Sequence, residues 1–263
     1  MNRPCVNDQA APAPMRRSDA RGFTMIELLV TVTLIAVLAV LTYQGTGQMR
    51  AIAQGAYCAN SLRQLGMATS LYLADHHYRM FPYEQSAPGG ALWYFGYETA
   101  GSLASSEGDR TVDVTRSPLY PYLMQVGGVE ICPSFPYNCL SIWEPKYNGA
   151  SWGYGFNATE FPAFSNVDVT TIRDPSQILL FGDCAQVDTF QPPGTPTHPM
   201  LEEFYMFDPT DKTTHFRHGG QANILFLDGH VEKFSMYPGT LDTRLPSANV
   251  GRITPAGSKQ YLQ

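Results

Sequence analysis

The feature that most constrains this chain is an apolar run near its N-terminus, Phe23 to Tyr43, reading FTMIELLVTVTLIAVLAVLTY. As a helix these 21 residues span about 31 Å at roughly 1.5 Å per residue, the hydrocarbon thickness of a bilayer. No second run of comparable length follows, so the sequence predicts a single crossing. Residues 1–22 carry Arg3, Arg16, Arg17 and Arg21 against Asp8 and Asp19, with Ala and Pro between them and no periodicity, and read as a leader. Arg16, Arg17 and Arg21 beside the run place the N-terminus in the cytoplasm and everything after Tyr43 outside it. Glu27 interrupts the run, where a carboxylate costs about 2.5–3.5 kcal/mol at the helix centre. Either Glu27 snorkels to the headgroups or it has a charged partner.

The segment Arg21-Gly22-Phe23-Thr24-Met25-Ile26-Glu27-Leu28-Leu29-Val30 closely resembles the processing site of type IV prepilins and type II secretion pseudopilins. The resemblance implies cleavage after Gly22 by a prepilin peptidase and N-methylation of the new terminal Phe23. It also implies pairing of Glu27 with the Phe23 amine of a neighbouring subunit during assembly. An ordinary secretory signal with an apolar core at 28–41 fits less well, because Glu27 would open that core and no small-x-small site follows Leu41. An uncleaved signal anchor is the third reading, disfavoured by the Gly22-Phe23 pair.

Cleavage at Gly22 would remove Cys5 and leave Cys58, Cys132, Cys139 and Cys184, an even set with three full disulfide connectivities in an oxidising compartment. Cys132 and Cys139 enclose PSFPYN, a turn-rich loop able to bring them together. Cys58 falls instead in a helical stripe with Leu62, Leu65 and Tyr72, as a small buried residue would. No close Cys or His pair has finger-like zinc spacing.

Beyond the run, a helical pattern continues from Gln48 to about Asp75 with Ile52, Cys58, Leu62, Leu65 and Tyr72 on one face, and Pro82 stops it. Gly45, Gly47, Gly55 and Gly66 weaken this helix, with a bend or melted turn expected near 45–47. Residues 84–117 are rich in Gly, Ser and Ala around the island Trp93-Tyr94-Phe95-Gly96-Tyr97, which reads as core aromatics or as a carbohydrate-stacking patch. Strands are predicted at 152–157, 177–183, 222–227 and 230–234. Residues 186–214, with Pro192, Pro193, Pro196, Pro199 and Pro209, read as one long loop.

The stretch Arg217 to Glu232, RHGGQANILFLDGHVE, predicts a hairpin: two short apolar runs flank Asp228-Gly229, whose glycine tolerates positive φ. His218 precedes Asp228-Gly229 by nine intervening residues, and the segment resembles the H-x9-DG element of a large group of bacterial pseudopilin-like proteins. Cys58 with Asn60-Ser61-Leu62-Arg63-Gln64-Leu65-Gly66 resembles that group's helix after the membrane, with Ser61 an apparent insertion, and Met80-Phe81-Pro82 resembles its end. Ile131-Cys132-Pro133-Ser134 and Gly153-Tyr154-Gly155-Phe156-Asn157 resemble further segments. His218, Asp228 and His230, with Asp183 from a neighbouring strand, are metal-ligand or proton-transfer candidates by residue type. A structural hairpin is the stronger expectation, since residues 228 and 230 need not face one way and no nucleophile with an orienting partner is evident.

Composition fits this picture. A net charge of −6 excludes the clustered basic surface that nucleic acid needs, and loss of residues 1–22 would make the charge more negative. No Walker loop, dinucleotide fingerprint or hydrolase elbow is present, so neither a cofactor nor an enzyme activity is expected. The expected fold is α+β and pilin-like, a long N-terminal transmembrane helix packed on a mainly antiparallel β ectodomain. Its parts are a leader 1–22, a membrane helix 23–43, a helical continuation 44–82 and an extracytoplasmic domain 83–263. The implied role is a structural pseudopilin in the inner membrane, its partners the prepilin peptidase and methyltransferase and other pseudopilin subunits, its C-terminal domain periplasmic or at the cell surface. The rival from another class is a membrane-tethered module that binds glycan or a surface protein and does not polymerise.

Overall fold

The computed structural model describes residues 23–129, 131–137, 139, 141–148, 153–207 and 210–263, with the side chains of 41–48 left aside. The leader 1–22 with Cys5 and the Gly22 cleavage point, and Asn138, Trp152 and Pro209 of the expected loops and strands, lie outside the described residues. The chain divides into two compact units, Met1–Gly47 and Gln48–Gln263.

Helix α1 is Met25–Asp75, assigned without a break through Gly45 and Gly47, so the expected melted turn is not formed. In the first unit every side chain described from Phe23 to Val40 is exposed, apolar ones included. Thr31 and Thr33 turn their hydroxyls inward, donating to the carbonyls of Leu28 and Val30 at 2.9 Å each, which satisfies these polar groups within the helix. Among the described residues no helix is long and apolar enough to cross a membrane. The expected span 23–43 includes residues 41–43, whose side chains are outside the description.

In the second unit α1 buries Cys58, Leu62, Leu65, Ala68 and Tyr72. Ile52, predicted on that face, is 70% exposed, so the buried stripe begins later than its periodicity suggests. Pro82 is not what ends the helix. His77 and Tyr78 adopt left-handed backbone angles, and the Tyr78 N–H reaches back to the Leu73 carbonyl at 2.8 Å, closing the last turn in the manner of a Schellman cap.

Three four-residue strands follow, β1 Glu84–Ala87, β2 Gly90–Trp93 and β3 Gly96–Thr99, in an antiparallel meander. Sequence composition hides them because each is shorter than the window over which alternation becomes visible. The aromatic island is interior: Tyr94, Phe95 and Tyr97 are buried, and Trp93 donates its Nε1–H to Glu98. Its rings form no exposed stacking platform. Short helices α2 Ala100–Leu103 and α3 Tyr120–Val126 lead to β4 Trp143–Glu144, β5 Tyr154–Asn157, β6 Leu179–Asp183, β7 Gln186–Asp188, β8 Met200–Glu202 and β9 Met206–Phe207. β7, β8 and β9 lie inside the segment 186–214 expected to be one loop. Pro192, Pro193, Pro196 and Pro199 occupy the connection between β7 and β8, while Val187 and Leu201 alternate inward. β10 Thr214–His215, β11 Gln221–Phe226, β12 Val231–Ser235 and β13 Val250–Gly251 complete the order.

The central sheet runs β12-β11-β6-β5-β9, antiparallel except for β5 with β9. A smaller sheet β4-β8-β7 also contains one parallel pair. The fold is therefore α+β with mixed sheets. Phe156 is its aromatic centre, with ring centroids 5.1–5.5 Å from Phe81, Tyr94, Phe161 and Phe181. The glycines that lower helix propensity have a packing use: a Cβ on Gly66 would stand 3.1 Å from Leu225 Cδ1, so its absence lets α1 approach β11.

Phe156 is fully buried, and Phe156→Ala should destabilise the folded chain by about 3–5 kcal/mol, measured by chemical denaturation.

Candidate functional site

Two groups of residues carry the chemistry that the sequence singles out. The first opens α1. The Glu27 N–H donates to Thr24 Oγ1 at 3.2 Å, while the Thr24 N–H and hydroxyl both donate to Glu27 Oε2 at 2.9 Å. This is a capping box, in which the residue before the helix and its third residue satisfy one another's backbone donors. Phe23, immediately outside, is 78% exposed. Within one chain, then, the carboxylate is held at the mouth of its own helix, next to the residue whose amine cleavage would create.

The second group is built on Asp183 at the end of β6. Arg217 donates to Asp183 Oδ1 at 2.7 Å, and His218 Nε2 lies 3.2 Å from Oδ2. The same Oδ2 accepts from the Asn223 backbone N–H at 2.7 Å and from its side-chain amide at 3.2 Å. Arg217 also donates to the Gly153 carbonyl at 2.6 Å. Asp183 is wholly buried, and the side chains of Arg217 and His218 are 2% exposed. Burial alone would raise the Asp183 carboxyl, but Arg217, His218 and the Asn223 N–H outweigh it and hold it at about 2.

Local sequence explains this geometry. The strand LLFGD delivers a carboxylate directly after a buried run. Gly219 and Gly220 take positive φ, and the His218 and Gln221 backbones bond to each other across them, so Arg217 and His218 fold back over β6. Gly55 of α1 faces the His218 ring, where a Cβ would lie 3.6 Å from Nδ1.

Two of the cysteines meet at the same place. Cys58 is joined to Cys132 by a disulfide, and Cys132 Sγ lies 3.7 Å from His218 Nε2. Cys139 is free and exposed and Cys184 free and buried, so the proposed closure of Cys132 onto Cys139 is not made. The stripe that marks Cys58 as a core residue is also what carries it to its partner. Ligand atoms of Cys58, Cys132 and His218 gather within 4.8 Å of one another, yet sulfurs bonded to each other have no thiolate to offer a metal.

The other candidates stand apart. The β11–β12 hairpin forms around Asp228-Gly229, with Gly229 at positive φ and the Phe226 N–H bonded to the His230 carbonyl. Asp228 and His230 contact each other at 2.6 Å near its tip, where their side chains are 37% and 42% exposed. The His230 ring stacks on Phe226 at 4.4 Å. His218, Asp228 and His230 therefore do not converge; Asp183 and His218 do. Sequence reading gives no role to Arg217. The available signal is Asp183 itself, an acid ending a buried run, which demands a nearby cation.

Residues 17–43 match the family model described as the prokaryotic N-terminal methylation motif, the type IV prepilin cleavage and methylation signal. The match points to a type IV pilin-like or pseudopilin precursor with a membrane-anchored N-terminus, processed by prepilin peptidase and assembled with other pilin-type subunits. No curated protein and no solved structure matches the chain.

Asp183→Ala leaves Arg217 buried without its counter-charge and should cost about 3–5 kcal/mol in urea unfolding at neutral pH. Because the folded carboxyl titrates below its unfolded value, its contribution is present above about pH 4 and disappears as pH falls towards 2. Asp183→Asn, with no proton to bind there, should show a shallower loss of unfolding free energy over that interval than the parent chain.

Proposed function

We propose that this protein is a pseudopilin-like structural subunit of a type II secretion or type IV pilus-like system. In this reading it is cut after Gly22, methylated on Phe23, anchored by one helix over 23–43 and presents the Gln48–Gln263 unit outside the cytoplasm. The observation that carries it is the methylation motif at 17–43, whose described side chains from Phe23 to Val40 are all exposed in the single chain: Ile26, Leu29, Ile35 and Leu38 are each at least 60% accessible. An apolar surface of this kind needs lipid or neighbouring helices around it. The inward-bonded hydroxyls of Thr31 and Thr33 suit that setting, because polar groups in hydrocarbon must find partners within the protein.

Glu27 then has two tasks in sequence. Before assembly its Oε2 serves the capping box with Thr24; on assembly it neutralises the Phe23 amine of an adjacent subunit. The role is mechanical and involves no catalysis: Asp183 and Arg217 are occupied by each other and by β6, β11 and the Gly153 carbonyl. A tethered module that never polymerises is the competing reading, and the burial of Tyr94, Phe95 and Tyr97 removes its most obvious glycan platform.

N-terminal mass analysis of the protein from native membranes should find a chain beginning at methylated Phe23. Glu27→Ala should be cleaved normally but lose crosslinking into ladders through the N-terminal helices. A mature terminus elsewhere, or an undiminished ladder in the variant, would overturn the assignment.

A further inference from the structure

The sheet β4-β8-β7 has one apolar and one acidic face. Val187 and Leu201 pack into a small core with Phe135 and Val250. On the opposite face the register sets Glu144 beside Glu202 and Glu202 beside Gln186, with Asp188 two residues further along β7. Glu202 receives Lys146 Nζ at 2.9 Å and the Gln186 amide. Glu144 and Asp188 have no such partner, although they are 2% and 0% exposed. Each accepts one backbone N–H from the connection 189–199 between β7 and β8: Glu144 Oε2 from Gly194 at 3.1 Å and Asp188 Oδ1 from Phe190 at 2.9 Å. Their second oxygens, Glu144 Oε1 and Asp188 Oδ2, are buried and meet no donor from any other residue.

The two side chains are instead hydrogen-bonded to each other. They close over the Cα of Gly194, where a Cβ would stand 2.8 Å from Asp188 Oδ2 and 3.0 Å from Glu144 Oε1. Ionised carboxylates can only accept, so a bond between two of them requires that one carry a proton. Two buried negative charges in contact would also repel, with no ion pair to either among the described residues to offset them. The charges that face the pair do not alter this. Glu202 brings a third carboxylate, matched by Lys146, which also lies 4.0 Å from Glu107. Arg244, near Asp188, is bound to Asp242 at 2.6 Å.

We propose that Glu144 and Asp188 share a single proton and that this proton is a clasp: while it is held, the two carboxyls grip the connection 189–199 through Gly194 and Phe190, and its loss as pH rises releases the connection from the sheet. Burial and the Asp188 carboxyl beside it push Glu144 up to about 8, so the pair keeps its proton at neutral pH. When the connection lifts, water reaches both groups, their ordinary values return and the proton leaves. Opening is therefore favoured by rising pH until the closed pair is itself ionised. Phe190 and Gln191 line a cavity of about 380 Å³ with Lys146, Lys212 and Thr213, so the proton also sets the shape of that cavity.

The test is chymotryptic cleavage of the full chain in detergent, from about pH 6 to about pH 9. The cut after Phe190, which needs the connection to leave the sheet, is measured against the cut after Phe164, which lies outside this sheet; the two side chains are 63% and 67% exposed. That ratio cancels the pH dependence of the protease. In the parent it should rise about tenfold per pH unit up to about pH 8 and then level off. In Glu144→Gln, whose amide supplies permanently the donor that the proton supplies, and in Asp188→Asn, it should stay flat. The difference between parent and variants also separates the pair from Glu202, which burial pushes up to about 7. A parent ratio that does not change with pH overturns the proposal, whether or not the variants fold. So does a rise that persists unchanged in both Glu144→Gln and Asp188→Asn.

Discussion

The ion pair between Asp183 and Arg217 is the constraint around which the C-terminal unit is arranged. A carboxylate with no solvent access must be met by donors from several directions, and here those directions define the architecture. The Asn223 N–H fixes β11 against β6. Arg217 reaches on to the Gly153 carbonyl, immediately before β5, so Asp183 and Arg217 together tie the three central strands of the five-stranded sheet. His218 extends the cluster to the disulfide and, through Cys58, to α1. The left-handed glycines at 219 and 220 follow from this demand: the chain must reverse at once for Arg217 and His218 to lie over the strand end while Asn223 enters the sheet.

The first unit obeys the opposite logic. Thr24 and Glu27 cap its helix, and the Thr31 and Thr33 hydroxyls bond to carbonyls within it. Its described side chains from Phe23 to Val40, by contrast, are exposed in the single chain. Satisfied polar groups beneath an exposed apolar surface are what a setting of lipid or other helices asks of a helix.

Much of this was legible in the sequence, unevenly. The helix end at Asp75, the strands around Phe181 and Leu225 and the turn at Asp228-Gly229 follow from local rules, apolar periodicity and a dipeptide that permits positive φ. The meander β1–β3 and the strands inside 186–214 did not, because two- to four-residue strands leave too few alternations to read, and Pro-rich connections dominate the composition. The gathering of candidate residues was legible in part. His218 with Asp183 was within reach of sequence reasoning, but the exclusion of Asp228 and His230 depends on hairpin length, which sets the tip apart from the buried end. The Cys58–Cys132 bond joins positions 74 residues apart, and no local pattern could rank it above Cys132 with Cys139.

That bond also determines how the unit bears tension. A pull on α1 from its N-terminal side reaches Cys58 before it reaches Leu62, Leu65 or Tyr72, whose packing holds the helix to the sheet. At Cys58 the load divides, part continuing along the helix and part crossing through sulfur to the segment of Cys132 beside His218. The helix therefore cannot be peeled away one turn at a time past this point. The interface must yield in shear, all its contacts together, which is the more resistant geometry for a load entering at one end of a helix.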